Sequence, residues 1–150
     1  MRNCILRKYV NDDYEFVYEV KKNAYKKYVE KCWGKLDEID PKNRFKESME
    51  KTFDRTYIIM FNNERIGFYQ GQVVDERTYY IENICIIPKY QGNGIGTEIL
   101  KSVINEYSDK NIEIQYFKQS PVVKLYEKLG FVPNGETEFH YQMIKWKRYD

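Results

Sequence analysis

The sequence has few residues of the kinds that tie a chain together through disulfides or metal ions. It contains three cysteines, Cys4, Cys32 and Cys85, and one histidine, His140. An odd number of widely spaced cysteines fits neither a disulfide framework nor a zinc site with paired ligands, so we expect reduced thiols that pack as small hydrophobic groups. A lone histidine without a second ligand beside it indicates a packed or surface residue, and we expect no metal site.

The sequence also lacks long apolar runs and an excess of one charge. Its longest aliphatic and aromatic runs, such as Tyr57 to Phe61, have the length of a strand, and the N-terminal residues contain no stretch long enough for the core of a signal peptide. With 25 Lys and Arg against 23 Asp and Glu, the net charge of +2 gives no reason to expect nucleic acid or a membrane as the main partner. We expect a cytoplasmic protein, either a monomer or a homodimer.

At 150 residues the chain has the usual length of one domain, so we expect a single domain over residues 1–150. Hydrophobic periodicity and turn residues predict the elements of its first half. These are a strand over residues 5–8, a helix from an N-cap at Asp12-Asp13 to about Lys31, a loop over residues 32–43, a helix over about residues 44–53, a hairpin of residues 56–61 and 65–74, and a strand over residues 78–87.

The second half of the chain is predicted to alternate helices with strands. Apolar residues at helical spacing predict a helix over residues 95–107, and a strand over residues 112–117 follows it. Because strand, helix and strand of this length form a crossover unit, the strands at 78–87 and 112–117 should be parallel. The remaining elements are a helix with Ser120 as N-cap, Pro121 as its first residue and its end at Gly130, and a terminal strand pair over residues 131–133 and 139–146.

A glycine-rich segment, Gln91-Gly92-Asn93-Gly94-Ile95-Gly96, joins the strand at 78–87 to the helix after it. At the start of a helix the backbone amides have no partner within the helix, and the helix dipole favours an anion. Glycines allow a ligand to approach such amides closely. The segment therefore suits a pyrophosphate, with a turn needed only for helix packing as the alternative.

Two other phosphate-binding motifs do not fit this segment. A P-loop requires Lys and then Ser or Thr after its last glycine, whereas Thr97-Glu98 follows Gly96. A dinucleotide-binding fingerprint requires glycine at the position of Thr97 and ordinarily opens a run of alternating strands and helices.

Two motifs resemble the GNAT superfamily of N-acetyltransferases. The segment Ile86-Ile87-Pro88-Lys89-Tyr90-Gln91-Gly92-Asn93-Gly94-Ile95-Gly96 resembles its acetyl-CoA signature, whose core is Gln or Arg, two residues, Gly, one residue, and Gly or Ala. Farther along, Leu125-Tyr126-Glu127-Lys128-Leu129-Gly130-Phe131 resembles the tyrosine helix and the Gly-Phe strand start that follow the signature. The resemblance implies an α/β (α+β) fold, namely a GNAT-type mixed, centrally splayed sheet of about seven strands with about four helices.

The resemblance also implies a function and a set of site residues. The function is transfer of an acetyl group from acetyl-CoA to a primary amine by direct attack in a ternary complex, with a small molecule or a peptide as the acceptor. Tyr28 and Trp33 resemble part of a helix and loop that cover the acceptor site in one bacterial branch of the family. The residues implied in cofactor binding are Ile84, Cys85, Ile86, Gln91, Gly92, Asn93, Gly94, Ile95, Gly96, Thr97, Gln119 and Tyr126.

Two residues are candidates for proton transfer. Helical side chains lean toward the N-terminus, so the phenol of Tyr126 can point toward the strand ends, and the resemblance implies that it protonates the departing thiolate. Packing beneath the pantetheine arm is the alternative for Tyr126. Glu82 precedes the cofactor-binding stretch on the same strand and is the candidate base, acting through water, with an exposed or salt-bridged carboxylate as the alternative.

Several further residues bear on the same chemistry. The resemblance implies that a backbone amide in Ile84–Ile86 stabilises the oxyanion. Gln119 takes a place where the family often has Asn, and Gln91 one often held by Arg. A covalent role for Cys85 finds no histidine placed to activate the thiol.

Two classes of function follow from these residues. The first is the N-acetyltransferase described above, and the second is a non-catalytic module on the same fold that binds an acyl-CoA or docks a protein. The intact glycine segment and the presence of Tyr126 favour the enzyme.

Overall fold

A computed structural model of the protein describes residues 4–33 and 41–147, without the side chains of residue 25, residues 27–33 and residues 41–44. The described residues form four α-helices and seven β-strands. The helices are α1 (Tyr14–Trp33), α2 (Pro41–Thr52), α3 (Ile95–Glu106) and α4 (Val123–Lys128). The strands are β1 (Cys4–Lys8), β2 (Thr56–Phe61), β3 (Glu64–Val73), β4 (Thr78–Ile86), β5 (Asn111–Phe117), β6 (Val132–Glu136) and β7 (His140–Lys145).

The strands form one mixed sheet in the order β1-β2-β3-β4-β5-β7-β6. β2 is antiparallel to β1 and to β3, and β7 is antiparallel to β5 and to β6. The strands β4 and β5 are parallel, and their pairing runs from Thr78 with Asn111 to Ile81 with Ile114. The prediction of a seven-stranded mixed sheet with four helices is confirmed, including the parallel strands on either side of the crossover helix α3. None of the described helices combines the length and the apolar character needed to cross a membrane.

Two compact parts of the chain can be distinguished. The first part contains Met1–Gln70 and Asn83–Asn93, and the second contains Gly71–Glu82 and Gly94–Asp150. The strands β3 and β4 therefore each contribute residues to both parts. The single domain expected over residues 1–150 stays a prediction.

The core of the first part is an apolar cluster between its two helices and its strands. Val17 and Val20 of α1 are buried in it together with Phe45 of α2, Ile58 of β2 and Phe68 of β3. Such a stripe at helical spacing on α1 is what an amphipathic helix presents to a core. The cluster holds both helices against β2 and β3.

The hairpin of β2 and β3 turns at Asn62 and Asn63, whose φ angles are 49° and 66°. Asparagine tolerates this left-handed region better than most residues, and two such residues in succession make the tight turn that suits the twist of a hairpin. The predicted hairpin is confirmed.

The predicted start of the second helix is wrong. α2 begins at Pro41 instead of about residue 44, and α1 continues to Trp33, so the predicted loop over residues 32–43 is too long at both ends. Proline interrupts a helix but is also well suited to its first position, where no amide hydrogen is needed.

The predicted start of the last helix is also wrong. α4 begins at Val123 instead of Pro121. The Ser120 N–H donates to the Phe117 carbonyl oxygen at 2.9 Å, so the backbone of Ser120 closes a turn at the end of β5. The hydrogen bond from the Tyr126 N–H to the Val122 carbonyl oxygen then begins the helix.

A buried carboxylate stands immediately before α1. Asp13 is 1% exposed, and its carboxylate accepts hydrogen bonds from the Arg7 guanidinium at 2.9 and 3.0 Å and from the Val10 N–H at 2.9 Å. Arg65 of β3 adds a contact at 3.3 Å. Asp13 precedes the helix as predicted for a cap, but its carboxylate joins β1 and β3 to the start of α1.

These contacts determine how the charge of Asp13 affects stability. Burial alone raises the pKa of this carboxyl group. The hydrogen bonds from Arg7 and from the Val10 N–H, the charge of Arg7 and the contact of Arg65 all lower it. Together they outweigh burial, so the pKa of Asp13 lies below the ordinary 3.8. A carboxyl group whose pKa is lower in the folded protein than in the unfolded chain stabilises the folded protein at pH values above its pKa in the unfolded chain. That stabilisation is lost as pH falls through the folded pKa.

We therefore expect Asp13→Asn to lower the free energy of unfolding by about 1–3 kcal/mol at pH 7, because it removes charge-assisted hydrogen bonds. The difference from the unsubstituted protein should shrink as pH falls below the ordinary pKa of an Asp side chain, about 3.9, and through the lowered pKa of Asp13 in the folded protein. Urea unfolding at pH 7 and at pH 3 measures both effects, with the exposed neighbour substitution Asp12→Asn as the control. An equal loss at both pH values would contradict the assignment.

Candidate functional site

The chain passes from β4 into α3 through a turn that requires left-handed backbone. β4 ends at Ile86, and a short 3-10 turn covers Pro88–Tyr90. Gly92 and Gly94 both have a φ of 79°, and Gly94 is the N-cap of α3. Because L side chains are strained at such angles, glycine at these two positions allows the helix to begin directly after the turn.

The first turn of α3 presents backbone amides that the helix does not use. The first bond of the helix runs from the Glu98 N–H to the Gly94 carbonyl oxygen at 3.0 Å, so the N–H groups of Ile95, Gly96 and Thr97 have no acceptor within the helix. A Cβ built at Gly92 would meet no atom within 4 Å. The turn is therefore open at Gly92. The N-terminus of α3 supplies hydrogen-bond donors and the positive end of the helix dipole, both of which suit an anion.

The position of α3 is fixed by the apolar side of the helix within the second part. Ile95, Leu100 and Val103 are 2%, 1% and 3% exposed. Just beyond the helix, the Tyr107 ring stacks on Tyr79 of β4, with centroids 3.7 Å apart and ring planes 13° apart. The helix is thus anchored along its length, while Gly96 and Thr97 of its first turn remain half-exposed.

Side chains of the glycine segment are held by the loop itself. The Gln91 side-chain amide donates to the Ile86 carbonyl oxygen at 2.7 Å, and the Asn93 amide donates to the Tyr90 carbonyl oxygen at 3.4 Å. The Tyr90 hydroxyl donates to Glu64 of β3 at 2.5 Å. Gln91 therefore shapes the turn in this structure, where its family counterpart is often a positively charged Arg.

The stretch Ile84–Ile86, which is predicted to bind the cofactor, lies on β4 in the first part. Cys85 is 5% exposed and packs in the apolar cluster with Ile58 and Phe68. Its thiol is enclosed by side chains. The structure gives no support to a covalent role for Cys85.

Tyr126 lies on α4 in the second part, where its ring is enclosed by other aromatic rings. It is 6% exposed. The Tyr116 ring of β5 approaches it edge-on, with centroids 5.8 Å apart and ring planes at 69°, and the Phe131 ring lies 5.9 Å away. Aromatic pairs favour such tilted arrangements, so these two rings hold Tyr126 in one orientation.

The end of α4 fixes the same side chain from behind. Gly130 has a φ of 99°, its N–H donates to the Glu127 carbonyl oxygen, and the Phe131 N–H donates to the Tyr126 carbonyl oxygen, both at 3.0 Å. This pair of bonds is the Schellman ending of a helix. α4 itself ends at Lys128, two residues before the predicted end, and Gly130 supplies the left-handed backbone that closes the helix and brings Phe131 against Tyr126.

Tyr116 is a residue of this cluster that the sequence analysis missed. Burial raises the pKa of its phenol, and neighbouring Tyr141 and the Glu127 carboxylate raise it further. Tyr116 therefore stays neutral over a wide range of pH. In the sequence, Tyr116 shows only that it shares one side of β5 with Ile112 and Ile114. That pattern does not reveal that the Tyr116 ring contacts Tyr126 of α4.

Glu82 and Gln119 are also in the second part. Glu82 is half-buried on β4. Burial raises the pKa of the nearby Tyr80 phenol, and the charges of Glu82 and Glu113 raise it further. Gln119 is exposed in the turn after β5. The side chains of Tyr28 and Trp33, expected to bind the acceptor, lie outside the described residues.

Metal ligands do not gather in the part of the chain that the structure describes. No three histidine, cysteine or acidic side chains come together there as a metal ion would require. His140 is half-buried at the start of β7, and its ring lies 4.4 Å from that of Phe117. Burial lowers the pKa of His140.

Comparison with known proteins places these features in one family. The model of the acetyltransferase (GNAT) family matches residues 16–131. The chain is 38% identical over 74 residues to a [ribosomal protein bS18]-alanine N-acetyltransferase of Haemophilus influenzae, and 30% identical over 73 residues to a spermine/spermidine N(1)-acetyltransferase of Bacillus subtilis. These matches cover 47% and 45% of the chain, and the chain spans about half the length of the curated relatives it matches, 49% and 48%.

Solved structures share the fold. The PaiA N-acetyltransferase of Thermoplasma acidophilum, solved in complex with coenzyme A, has a TM-score of 0.78 at 17% identity, covering 96% of this chain and 99% of its own. A GNAT family acetyltransferase of Elizabethkingia anophelis with acetyl-CoA bound has a TM-score of 0.56 at 26% identity, covering 67% of this chain and 82% of its own. The family model covers well over half of the sequence, from α1 to the end of α4, and the chain belongs to the acetyltransferase (GNAT) family.

Proposed function

We propose that the protein transfers the acetyl group of acetyl-CoA to the nitrogen of an amine. The observation that carries the proposal is the first turn of α3, where Gly92 and Gly94 leave donor N–H groups open to an anion in a chain of this family. Two relatives carry names of enzymes that acetylate a ribosomal protein alanine and spermine or spermidine. Both kinds of acceptor present an amine, either at a peptide N-terminus or in a polyamine.

The residues of the turn fit the charged end of the cofactor. A pyrophosphate needs several donors and room for its oxygens, and both the amides of Ile95–Thr97 and the open space at Gly92 meet that need. By family resemblance, Ile84–Ile86 and Gln119 are assigned to the pantetheine arm. When bound, acetyl-CoA supplies the reactive thioester.

The reaction requires three actions from the protein. The nitrogen must give up one proton before it attacks the acetyl carbon and a second proton as the C–N bond forms. The charge that develops on the acetyl oxygen must be stabilised. The sulfur must receive a proton as the C–S bond breaks, from a donor that regains its proton from solvent. The proposal assigns the first action to Glu82 through water and the second to a backbone amide of Ile84–Ile86. It assigns the third to the Tyr126 hydroxyl.

The surroundings of Tyr126 support this assignment. A proton donor must be neutral and must keep its hydroxyl in one direction. The Tyr116 and Phe131 rings restrict the Tyr126 ring, and the Schellman ending of α4 fixes the backbone behind it. Apolar neighbours also disfavour a charged phenolate.

The non-catalytic module is the second candidate, and an amine panel separates the two. Purified protein is incubated with acetyl-CoA and spermidine, an aminoglycoside, free amino acids, or a peptide that begins with alanine, while released thiol is measured. The enzyme releases thiol with at least one amine and forms the acetylated product, identified by mass spectrometry. Binding of acetyl-CoA, confirmed by calorimetry, with background thiol release across the panel would favour the module.

The glycine turn predicts a specific loss of cofactor affinity. Gly92→Ala places a methyl group in the open space at the turn, so we expect the Kd for coenzyme A to rise at least about tenfold, or about 1.4 kcal/mol. The left-handed backbone adds about 1–2 kcal/mol of strain to the folded state. Gly135→Ala is the matched control, since Gly135 also has a positive φ, 146°, but lies outside the turn. Unchanged coenzyme A affinity in Gly92→Ala would contradict the assignment.

The two proton-transfer residues predict separate changes in the pH–rate profile. Tyr126→Phe should lower kcat about 10²- to 10⁴-fold, a barrier increase of roughly 3–5 kcal/mol, because it removes a general acid and leaves the ring packing intact. Glu82→Gln should remove the fall of kcat/KM at low pH. A loss below about threefold in Tyr126→Phe would indicate packing, and an unchanged profile in Glu82→Gln would exclude Glu82 as the base.

A further inference from the structure

The segment that leads from β4 to the glycine turn is held by successive residues of β3. A Cβ atom built at Gly67 would lie 2.1 Å from the Cys85 carbonyl oxygen. The two backbones can approach so closely because Gly67 has no side chain. Two residues farther along, the Ile87 N–H donates to the Ile66 carbonyl oxygen at 2.8 Å. β3 therefore guides this segment beyond the end of β4 at Ile86.

Tyr90 adds a further contact with the same hairpin. Its hydroxyl donates at 2.5 Å to the carboxylate of Glu64, the first residue of β3. Its ring lies 5.6 Å from the ring of Phe61, the last residue of β2. The tip of the β2–β3 hairpin thus holds Tyr90 through one charge-assisted hydrogen bond and one contact between rings.

The backbone around Tyr90 carries this anchorage to the glycine turn. The Tyr90 N–H donates to the Ile87 carbonyl oxygen at 3.0 Å, and the Gln91 N–H donates to the Pro88 carbonyl oxygen at 3.1 Å. These bonds close residues 87–91 into a compact turn. Gly92, where the turn is open, follows directly. A displacement of Tyr90 would therefore displace Gly92 as well.

We propose that Tyr90 is a positioning residue for the cofactor, and that its contacts with Glu64 and Phe61 fix Gly92 where the pyrophosphate of coenzyme A binds. The inference rests on the proposed function, because it takes the glycine turn as the pyrophosphate site. Tyr90 acts through the backbone and need not touch the ligand itself. The hydrogen bond to Glu64 raises the pKa of the Tyr90 phenol, with smaller contributions from burial and from the charge of Glu64, so the hydroxyl keeps the proton that it donates.

The charge of Glu64 allows the proposal to be tested by the sign of an effect. A carboxylate in the neighbourhood of a pyrophosphate repels it, so loss of the charge alone would strengthen the binding of coenzyme A. Loss of the acceptor for Tyr90 would weaken the binding, because a released turn must be ordered again when the ligand binds. In Glu64→Ala the two effects oppose each other, and the proposal requires the second to prevail.

Two variants are compared by calorimetric titration of coenzyme A in the absence of an amine. Tyr90→Phe removes the hydroxyl and keeps the ring contact with Phe61, so we expect the Kd for coenzyme A to rise about three- to tenfold. Glu64→Ala should raise the Kd by a similar factor although it removes a negative charge. In the double variant the Kd should stay within about twofold of the single variants, because both substitutions remove the same bond.

Three further variants serve as controls. Glu64→Gln removes the charge and keeps an oxygen that accepts from Tyr90, so its Kd should lie below that of Glu64→Ala. Tyr57→Phe changes another tyrosine of the first part, and Glu47→Ala removes an exposed carboxylate of α2. Neither of these two should change the Kd by more than about twofold.

Several outcomes would overturn the role of Tyr90. A lower Kd in Glu64→Ala would show that only the charge acts, and an equal Kd in Glu64→Gln and Glu64→Ala would show that the hydrogen bond is not the cause. An unchanged Kd in Tyr90→Phe would have the same meaning, whether or not the midpoint of thermal unfolding falls. A parallel rise in Tyr57→Phe and Glu47→Ala would indicate a general loss of affinity.

Turnover with acetyl-CoA and spermidine separates this inference from the proposed function. Tyr90→Phe should raise KM for acetyl-CoA and leave kcat and KM for the amine within about twofold. If no amine of the panel is acetylated but both variants bind coenzyme A more weakly, the proposed function fails and the role of Tyr90 stands. If an amine is acetylated and coenzyme A affinity is unchanged in both variants, the role of Tyr90 fails and the function stands. Absence of coenzyme A binding to the unsubstituted protein would overturn the role of Tyr90.

Discussion

The left-handed backbone between β4 and α3 is the constraint on which the candidate site depends. A helix that follows a strand through a short turn must reverse the chain within a few residues, and the φ of 79° at Gly92 and at Gly94 makes that reversal possible. The same geometry places the Gly94 carbonyl at the first bond of α3 and leaves the amides of Ile95–Thr97 without helical acceptors. The anion site that we propose is therefore a consequence of how the chain turns, and the proposal needs no charged side chain to create it.

Asn83 and Tyr126 are held in place by different forces in the two parts of the molecule. In the first part, the Asn83 amide donates to Gln70, and a series of hydrogen bonds continues from Gln70 to the backbone of α2. In the second, Tyr126 is fixed by the rings of Tyr116 and Phe131. The second arrangement suits the task proposed for Tyr126. A phenol that donates a proton must stay neutral, which apolar neighbours favour.

Local pattern was sufficient to predict much of the fold. The alternation of β2 and β3 about Asn62-Asn63, the apolar stripe of α3 and the glycine that ends α4 each act within a few residues. The start of α2 was missed because proline both interrupts helices and begins them. The start of α4 was missed because the Ser120 backbone is used by a turn onto β5.

The candidate site was predictable where it depends on one segment and missed where it depends on pairing between distant segments. The glycine turn and Tyr126 lie in compact motifs. Asp13 meets Arg65 across 52 positions of the chain, and Gln70 meets Asn83 across 13. Such contacts depend on strand register and on which side of a strand faces a helix. Neither is encoded in the residues next to the side chain concerned.

The alternation of side chains along β4 also bears on how the amine loses its proton. Burial raises the pKa of Tyr80, and the charge of Glu82, two positions away on the same side of the strand, raises it further, whereas Asn83 turns toward Gln70. Neighbouring strand residues face opposite sides, so the side chains of Glu82 and Asn83 point to opposite sides of β4. Proton transfer to Glu82 proceeds through a relay of water in the proposed mechanism. If no relay exists, the amine must lose its proton before it binds, and the pH dependence of kcat/KM follows the pKa of the acceptor instead of a group on the protein.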